Sequence, residues 1–273
     1  MLLLVSSLSS LAPSAAEAVT ARELQERYDL GRVRAGARRW TPVELTVLDR
    51  SLRVLSREER KLLDGVDFVR GGLARHPREA GLFTWNKRGR RITVYGRAFR
   101  GEGDGPNWTV VHEVGHAIAS RPLLEARAVE SKALARYNER VDSYNDAVRA
   151  YNRAARTANR TGRAADRDRA GRLRKRATSL QTGLGSLRSD ALRARRAVVD
   201  AAKELRRRRP RSGVLGAFRQ VLDGRPSPSR YGDTHIAEAF AECFAMFHCD
   251  PKGLRRDLPE VHAWFAAGGH LRD

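Results

Sequence analysis

The sequence predicts an α+β fold. It has a small β-sheet before a helix carrying His112-Glu113-Val114-Gly115-His116, a mainly helical C-terminal part, and a long antiparallel helical hairpin inserted between them. Three observations predict it. Two β-rich runs, Gly81–Trp85 and Arg91–Tyr95, flank Asn86-Lys87-Arg88-Gly89, which reads as a hairpin turn. The His-Glu-x-x-His stretch sits in an apolar frame of Val110, Val111, Val114, Ala117, Ile118 and Ala119, as a buried helix would. Apolar residues at alternating three- and four-residue steps then run from Leu134 to Ala155 and from Leu173 to Leu205.

Taken in order, residues 1–18 open on Met1-Leu2-Leu3-Leu4-Val5 and end near Ala16-Glu17-Ala18. This resembles a short secretory segment with a small-x-small cleavage site, although it lacks a basic start. It points to a secreted chain, with a cytoplasmic or delivered effector as the other reading. Residues 19–39 are polar and basic with scattered apolar positions, which reads as a linker or loose helix. The first half of the functional domain is expected over 40–124. There Thr41 caps a helix with Pro42 at its first position and Leu45, Leu48, Leu52 and Leu55 on one face. A short Ser56-led helix and a strand at Val66–Arg70 follow, then the two β runs, whose edge can pair an extended peptide. Gly101–Pro106 reads as a flexible turn, with Asn107 as the cap of the His-Glu-x-x-His helix. The inserted hairpin is expected over 125–210, its two helices joined by Arg156–Arg172 and weakened at Gly183 and Gly185. The second half, 211–273, holds a short helix around Val214–Leu222, the Tyr231–Phe244 stretch and a closing helix at Leu258–Phe265.

Composition narrows the function. The chain has 273 residues, 41% of them hydrophobic, which is ordinary for a globular protein and not for a disordered one. Its net charge of +21 is uneven: residues 121–210 hold 25 Lys/Arg against 10 Asp/Glu. The basic hairpin can therefore bind nucleic acid, an acidic protein or an anionic membrane surface, or simply present a solvated face. Beyond the first residues, no stretch approaches the ~20 apolar residues of a membrane span. Cys243 and Cys249 are spaced for neither a zinc knuckle nor an intrahelical bridge.

The chemistry lies in two stretches. Histidines four apart on a helix share a face and can reach one zinc ion, and the intervening Glu113 is placed to act as general base. A catalytic zinc takes three protein ligands and keeps one position open. Pro122 and Ala119 occupy the places where one large class of zinc peptidases carries its third histidine and a glycine. Glu238 and Glu242, four apart on an Ala/Phe-rich helix, are the remaining candidates. Glu238 is assigned as the ligand and Glu242 as the acceptor that orients a histidine; the reverse assignment, or His235 as ligand, stays open. From His116 to Glu238 is 122 positions, and removal of residues 125–210 leaves 36, so the halves can close on one site.

Tyr231-Gly232-x-Thr234-x-x-x-Glu238-x-Phe240-Ala241-Glu242-x-Phe244, after His112-Glu113-x-x-His116, resembles the catalytic domain of anthrax lethal factor and the related secreted Pro-Pro endopeptidases. The resemblance covers roughly 40–124 and 211–273. It implies a zincin-like, gluzincin-type endopeptidase acting on a protein or peptide substrate. One zinc per chain would sit on His112, His116 and Glu238, with Glu113 as base and Tyr231 donating a hydrogen bond to the tetrahedral oxyanion. The basic hairpin has no counterpart in that pattern. The competing expectations are a nucleic-acid- or acidic-partner-binding protein with a vestigial zinc domain, and a structural module stapled by zinc.

Overall fold

The computed structural model describes residues 19–74, 76, 79–86, 89–99 and 105–272, with the backbone alone for Gly105 and Pro106. The N-terminal segment read as a secretory leader lies outside them, as do Lys87, Arg88 and most of the 101–106 turn. The described chain is mostly helical with one four-stranded mixed sheet, an α+β arrangement. It divides into two compact units, residues 19–118 with 225–271 and residues 119–224 with 272.

In the first unit, the stretch expected as a linker or loose helix holds helix α1 (Ala21–Tyr28), the second of those readings, and strand β1 (Val33–Ala35), which neither foresaw. The correction has local and distant causes. Thr20 and Glu23 form a reciprocal capping box, Leu24 and Tyr28 are buried, and β1 pairs parallel with a strand 35 residues downstream. Helix α2 (Pro42–Arg53) starts at the expected Thr41 cap, and Ser56 caps α3 (Arg57–Lys61). Strands β2 (Asp67–Arg70), β3 (Gly81–Asn86) and β4 (Gly89–Val94) complete a sheet of order β1-β2-β4-β3. β2 runs parallel to β1 and β4, whereas β3 is antiparallel to β4 in the register Phe83–Ile92. Arg70, buried in central β2, meets Glu44 of α2 at 2.8 Å, fastening that helix to the sheet.

Helix α4 (Gly105–Ala119) carries the His-Glu-x-x-His motif. It begins before Asn107, so Asn107 does not cap it. The side-chain oxygen of Asn107 lies 3.2 Å from the Ser51 hydroxyl of α2.

The second unit begins with α5 (Arg121–Thr161), a 41-residue helix, followed by α6 (Ala164–Thr182) and α7 (Leu184–Arg206) returning along it. The turn is far tighter than the expected Arg156–Arg172. Alanine and arginine extend a helix readily, and only Gly162, left-handed at φ 65°, ends it. The return arm breaks at Gly183, one of the two expected weak points. The buried seam is built of alanines, namely Ala147, Ala158, Ala170, Ala177, Ala191 and Ala194, and Leu134 is exposed. Helix α8 (Gly213–Leu222) belongs to this unit and not with the second half expected from 211 onward. Arg219 Nε donates to the Pro210 carbonyl, holding α8 against the chain that leaves α7.

The first unit resumes with α9 (Ile236–Cys249), α10 (Pro251–Asp257) and α11 (Pro259–Ala266). Phe240, Phe244, Phe247, Trp264 and Phe265 form one aromatic cluster between α9 and α11, with ring centroids 5.0–6.3 Å apart. Both cysteines are free. No described helix is long and apolar enough to cross a membrane.

Candidate metal centre

Helix α4 is buried on most of its surface: Val110, Val111, Val114, Ala117, Ile118 and Ala119 are each at most 2% exposed. The polar face is therefore confined to the turn carrying His112 and His116, whose ring centroids lie 4.8 Å apart. Opposite them stands Glu238, in the first turn of α9. Its Oε2 lies 3.3 Å from His112 Nε2 and 3.1 Å from His116 Nε2. Among the described residues these three form the one group able to hold a metal ion.

Two close approaches allow the convergence. Gly115, between the histidines, lies against α9 so tightly that a Cβ there would stand 2.9 Å from Ala241 Cα. A side chain at that position would push α9, and Glu238 with it, away from the histidines. Gly81 of β3 faces the other flank, where a Cβ would meet Glu113 Cγ at 2.6 Å. Neither glycine has a sequence signal of its own beyond being a glycine, because each is defined by a partner distant in the chain.

The donor set fits zinc. Bonds of about 2.1 Å in a tetrahedral shell separate ligand atoms by about 3.4 Å, close to both observed N–O separations. Two imidazole nitrogens and one carboxylate oxygen are ligands that zinc accepts, and three of them leave a coordination position for something else. Burial works against ionisation of Glu238, but hydrogen bonds with His112 and His116 outweigh it and hold the carboxyl well below the usual range.

Glu113 is 6% exposed, and its carboxyl is pushed up to about 7, first by burial. The charges of Glu238 and Glu79 raise it further, while His112 and a backbone hydrogen bond from Phe83 pull the other way. A divalent cation nearby lowers such a value.

Tyr231 precedes the 3-10 turn Gly232–Thr234 and is 58% exposed. Its ring centroid lies 6.3 Å from that of His112, and its hydroxyl lies in the field of the Glu238 carboxylate. Partial burial, then the Glu238 charge, pushes the phenol upward, so it keeps its proton and remains a donor. His235 does not reach the metal group. Its Nδ1 instead accepts the Ala237 N–H as the cap of α9.

Glu242 departs from expectation. No hydrogen bond joins it to a histidine. One turn further along α9, its neighbours come from the loop before Tyr231, and its Oε1 accepts the Ser229 hydroxyl at 2.6 Å. Ser229 Oγ in turn accepts the Tyr231 and Gly232 N–H groups at 3.0 and 3.3 Å. Glu242 thus acts on Tyr231 through Ser229. Ser229 is the residue that sequence reasoning missed, since one serine in a Ser/Pro-rich loop carries no signal.

A second buried cluster lies apart from the metal group. Glu59 Oε1 lies 3.0 Å from His248 Nε2 and 2.7 Å from His270 Nε2, joining α3, α9 and the 3-10 turn Gly269–Leu271. Burial alone would raise the Glu59 carboxyl, but the two histidine hydrogen bonds outweigh it and hold it below its ordinary range.

Comparison with protein-family profiles, with curated proteins and with solved structures finds no match.

Proposed function

We propose that this chain is a zinc-dependent endopeptidase that hydrolyses peptide bonds of a protein or peptide substrate. The observation that carries the reading is the convergence of His112, His116 and Glu238, whose ligand atoms lie within 4.8 Å of one another, with Glu113 beside them and Tyr231 at the rim. A structural zinc site takes four protein ligands, whereas a hydrolytic one takes three and uses a carboxylate beside the open position as its base.

His112, His116 and Glu238 would hold a zinc ion, which would supply Lewis acidity to a peptide carbonyl and to a water. The chain's own residues do the rest. Glu113 accepts the proton of the attacking water and delivers it to the leaving amine. The close packing of Gly81 against Glu113 limits where its carboxylate can turn. The Tyr231 hydroxyl donates to the oxygen on which negative charge develops, and the Ser229–Glu242 anchor holds the loop that presents it. β3 is the last strand of the sheet on the side of Glu113, which suits pairing of an extended substrate backbone. The apolar N-terminal segment favours export of the enzyme.

The test is digestion of a random peptide library by wild type and Glu113→Gln, with zinc content measured on both. The expected result is cleavage by wild type, its loss in the variant, and equal zinc in the two. Unchanged cleavage by Glu113→Gln would remove Glu113 from the role of base.

A further inference from the structure

The hairpin divides into stretches of different charge. Residues 121–149 hold six Lys/Arg against five Asp/Glu, with Arg149 paired to Asp146 and Arg121 to Glu125. The distal stretch 150–177, around the Gly162 turn, holds ten against two. Of the two acids there, Asp166 is engaged by the Thr161 hydroxyl at 2.5 Å. Among the described residues none of the ten cations forms an ion pair, and nine of them are arginines. Ten like charges on the facing ends of two helices oppose the compact state they decorate.

At this end α5 and α6 enclose a cavity of about 470 Å³. Ala150, Ala154 and Leu173 contribute apolar lining, while Arg153 from one helix and Arg169 and Arg172 from the other contribute three guanidiniums. The spacing follows from helix geometry, since residues three and four apart share a face on each helix. Thr157 and one carboxylate, Asp166, complete the lining, so three guanidiniums outnumber a single acid across the groove.

We infer that the distal end of the hairpin binds the phosphate backbone of double-stranded nucleic acid without reading its sequence, through Arg153, Arg169 and Arg172. Guanidinium forks match phosphate oxygens, whereas a merely solvated cationic face has no need of arginine over lysine. A single-stranded ligand would need a series of stacking platforms, and the distal stretch holds one aromatic residue, the half-buried Tyr151, with none from residue 152 to residue 210. A membrane surface would need exposed apolar side chains to bury. The exposed ones of the hairpin, Val129, Leu134, Leu192 and Val199, all lie outside 150–177. The inference is independent of the peptidase reading.

Fluorescence-anisotropy titration of the full chain with two short DNA duplexes of unrelated sequence tests it, with phosphatidylserine vesicles and polyglutamate as the other probes. Both duplexes are expected to bind equally well, and affinity to fall steeply between about 50 and about 200 mM salt. The triple variant Arg153→Gln/Arg169→Gln/Arg172→Gln is expected to bind at least ~10-fold more weakly, with a logarithmic salt slope shallower by about 2 to 3. The corresponding triple Arg→Lys variant keeps the charge and helicity, and its slope should stay near that of wild type while its affinity drops. Absent duplex binding at the lowest salt, tighter binding to vesicles or polyglutamate, or an unchanged slope in a helical triple-Gln variant would each overturn the inference.

Discussion

The two units handle charge in opposite ways. In the first, several acidic side chains are buried or half-buried and held by fixed partners: Asp49 by Tyr28, Arg27 and Arg53, Glu44 by Arg70, Glu59 by two histidines, and Glu238 by two more. In the second, the buried seam is alanine and the charge lies on the surface, most of it unpaired toward the turn. Buried charge is costly unless its partners are fixed, so the first unit specifies a unique arrangement of side chains around its metal group. The second needs only helix propensity and small residues to keep its backbone in register, and it leaves its cations available to a partner.

Substitutions sharpen this contrast. The largest effect should come from Tyr231→Phe, which removes a donor at the rim of the metal group. About a 100-fold loss in kcat with nearly unchanged KM and unchanged zinc content is expected. A matching fall in zinc content would mean that the hydroxyl serves the ligand Glu238 instead.

Next comes Glu59→Gln, expected to cost about 2 kcal/mol near pH 7 by denaturant unfolding. The folded-state carboxyl of Glu59 is depressed, so its contribution is fully present above the unfolded value of about 4.3 and is lost as pH falls through the folded one. The gap between wild type and variant should therefore be constant above about pH 4.3 and shrink below it. A gap that grew on acidification would contradict the network.

The smallest effect compares one substitution in two places. Gly115→Ala gains up to about 1 kcal/mol in helix propensity but loses about 1–3 to the clash with Ala241, for a net destabilisation and weaker zinc binding. Gly171→Ala in α6 meets nothing within 4 Å and should stabilise by about 0.5–1 kcal/mol. Equal signs at the two sites would break the contrast between a side-chain-specified unit and a propensity-specified one.

Local signals made much of this readable from the chain. The Thr41–Pro42 and Ser56 helix starts, the 81–95 hairpin, the His-Glu-x-x-His helix and the long insertion all follow from capping residues and periodicity within a few positions. The Thr20–Glu23 box was equally local, yet one turn of buried positions after it is too short to stand out from a basic stretch. The remainder depends on partners far away in sequence. β1 exists through β2, Glu242 meets Ser229 rather than a histidine, Gly115 and Gly81 matter because of Ala241 and Glu113, and Glu59 doubles as a helix cap and the anchor of two C-terminal histidines. For the candidate ligands, spacing identified the two histidines, while the choice of Glu238 over its neighbours rests on which turn of α9 faces α4.

The most direct test of the central claim is zinc stoichiometry on the purified chain, wild type beside Glu238→Ala. One zinc per wild-type chain and its loss in the variant are expected, because the third ligand comes from beyond the inserted unit. A wild-type chain that takes up no zinc, or a Glu238→Ala chain that holds it as tightly, would contradict the account.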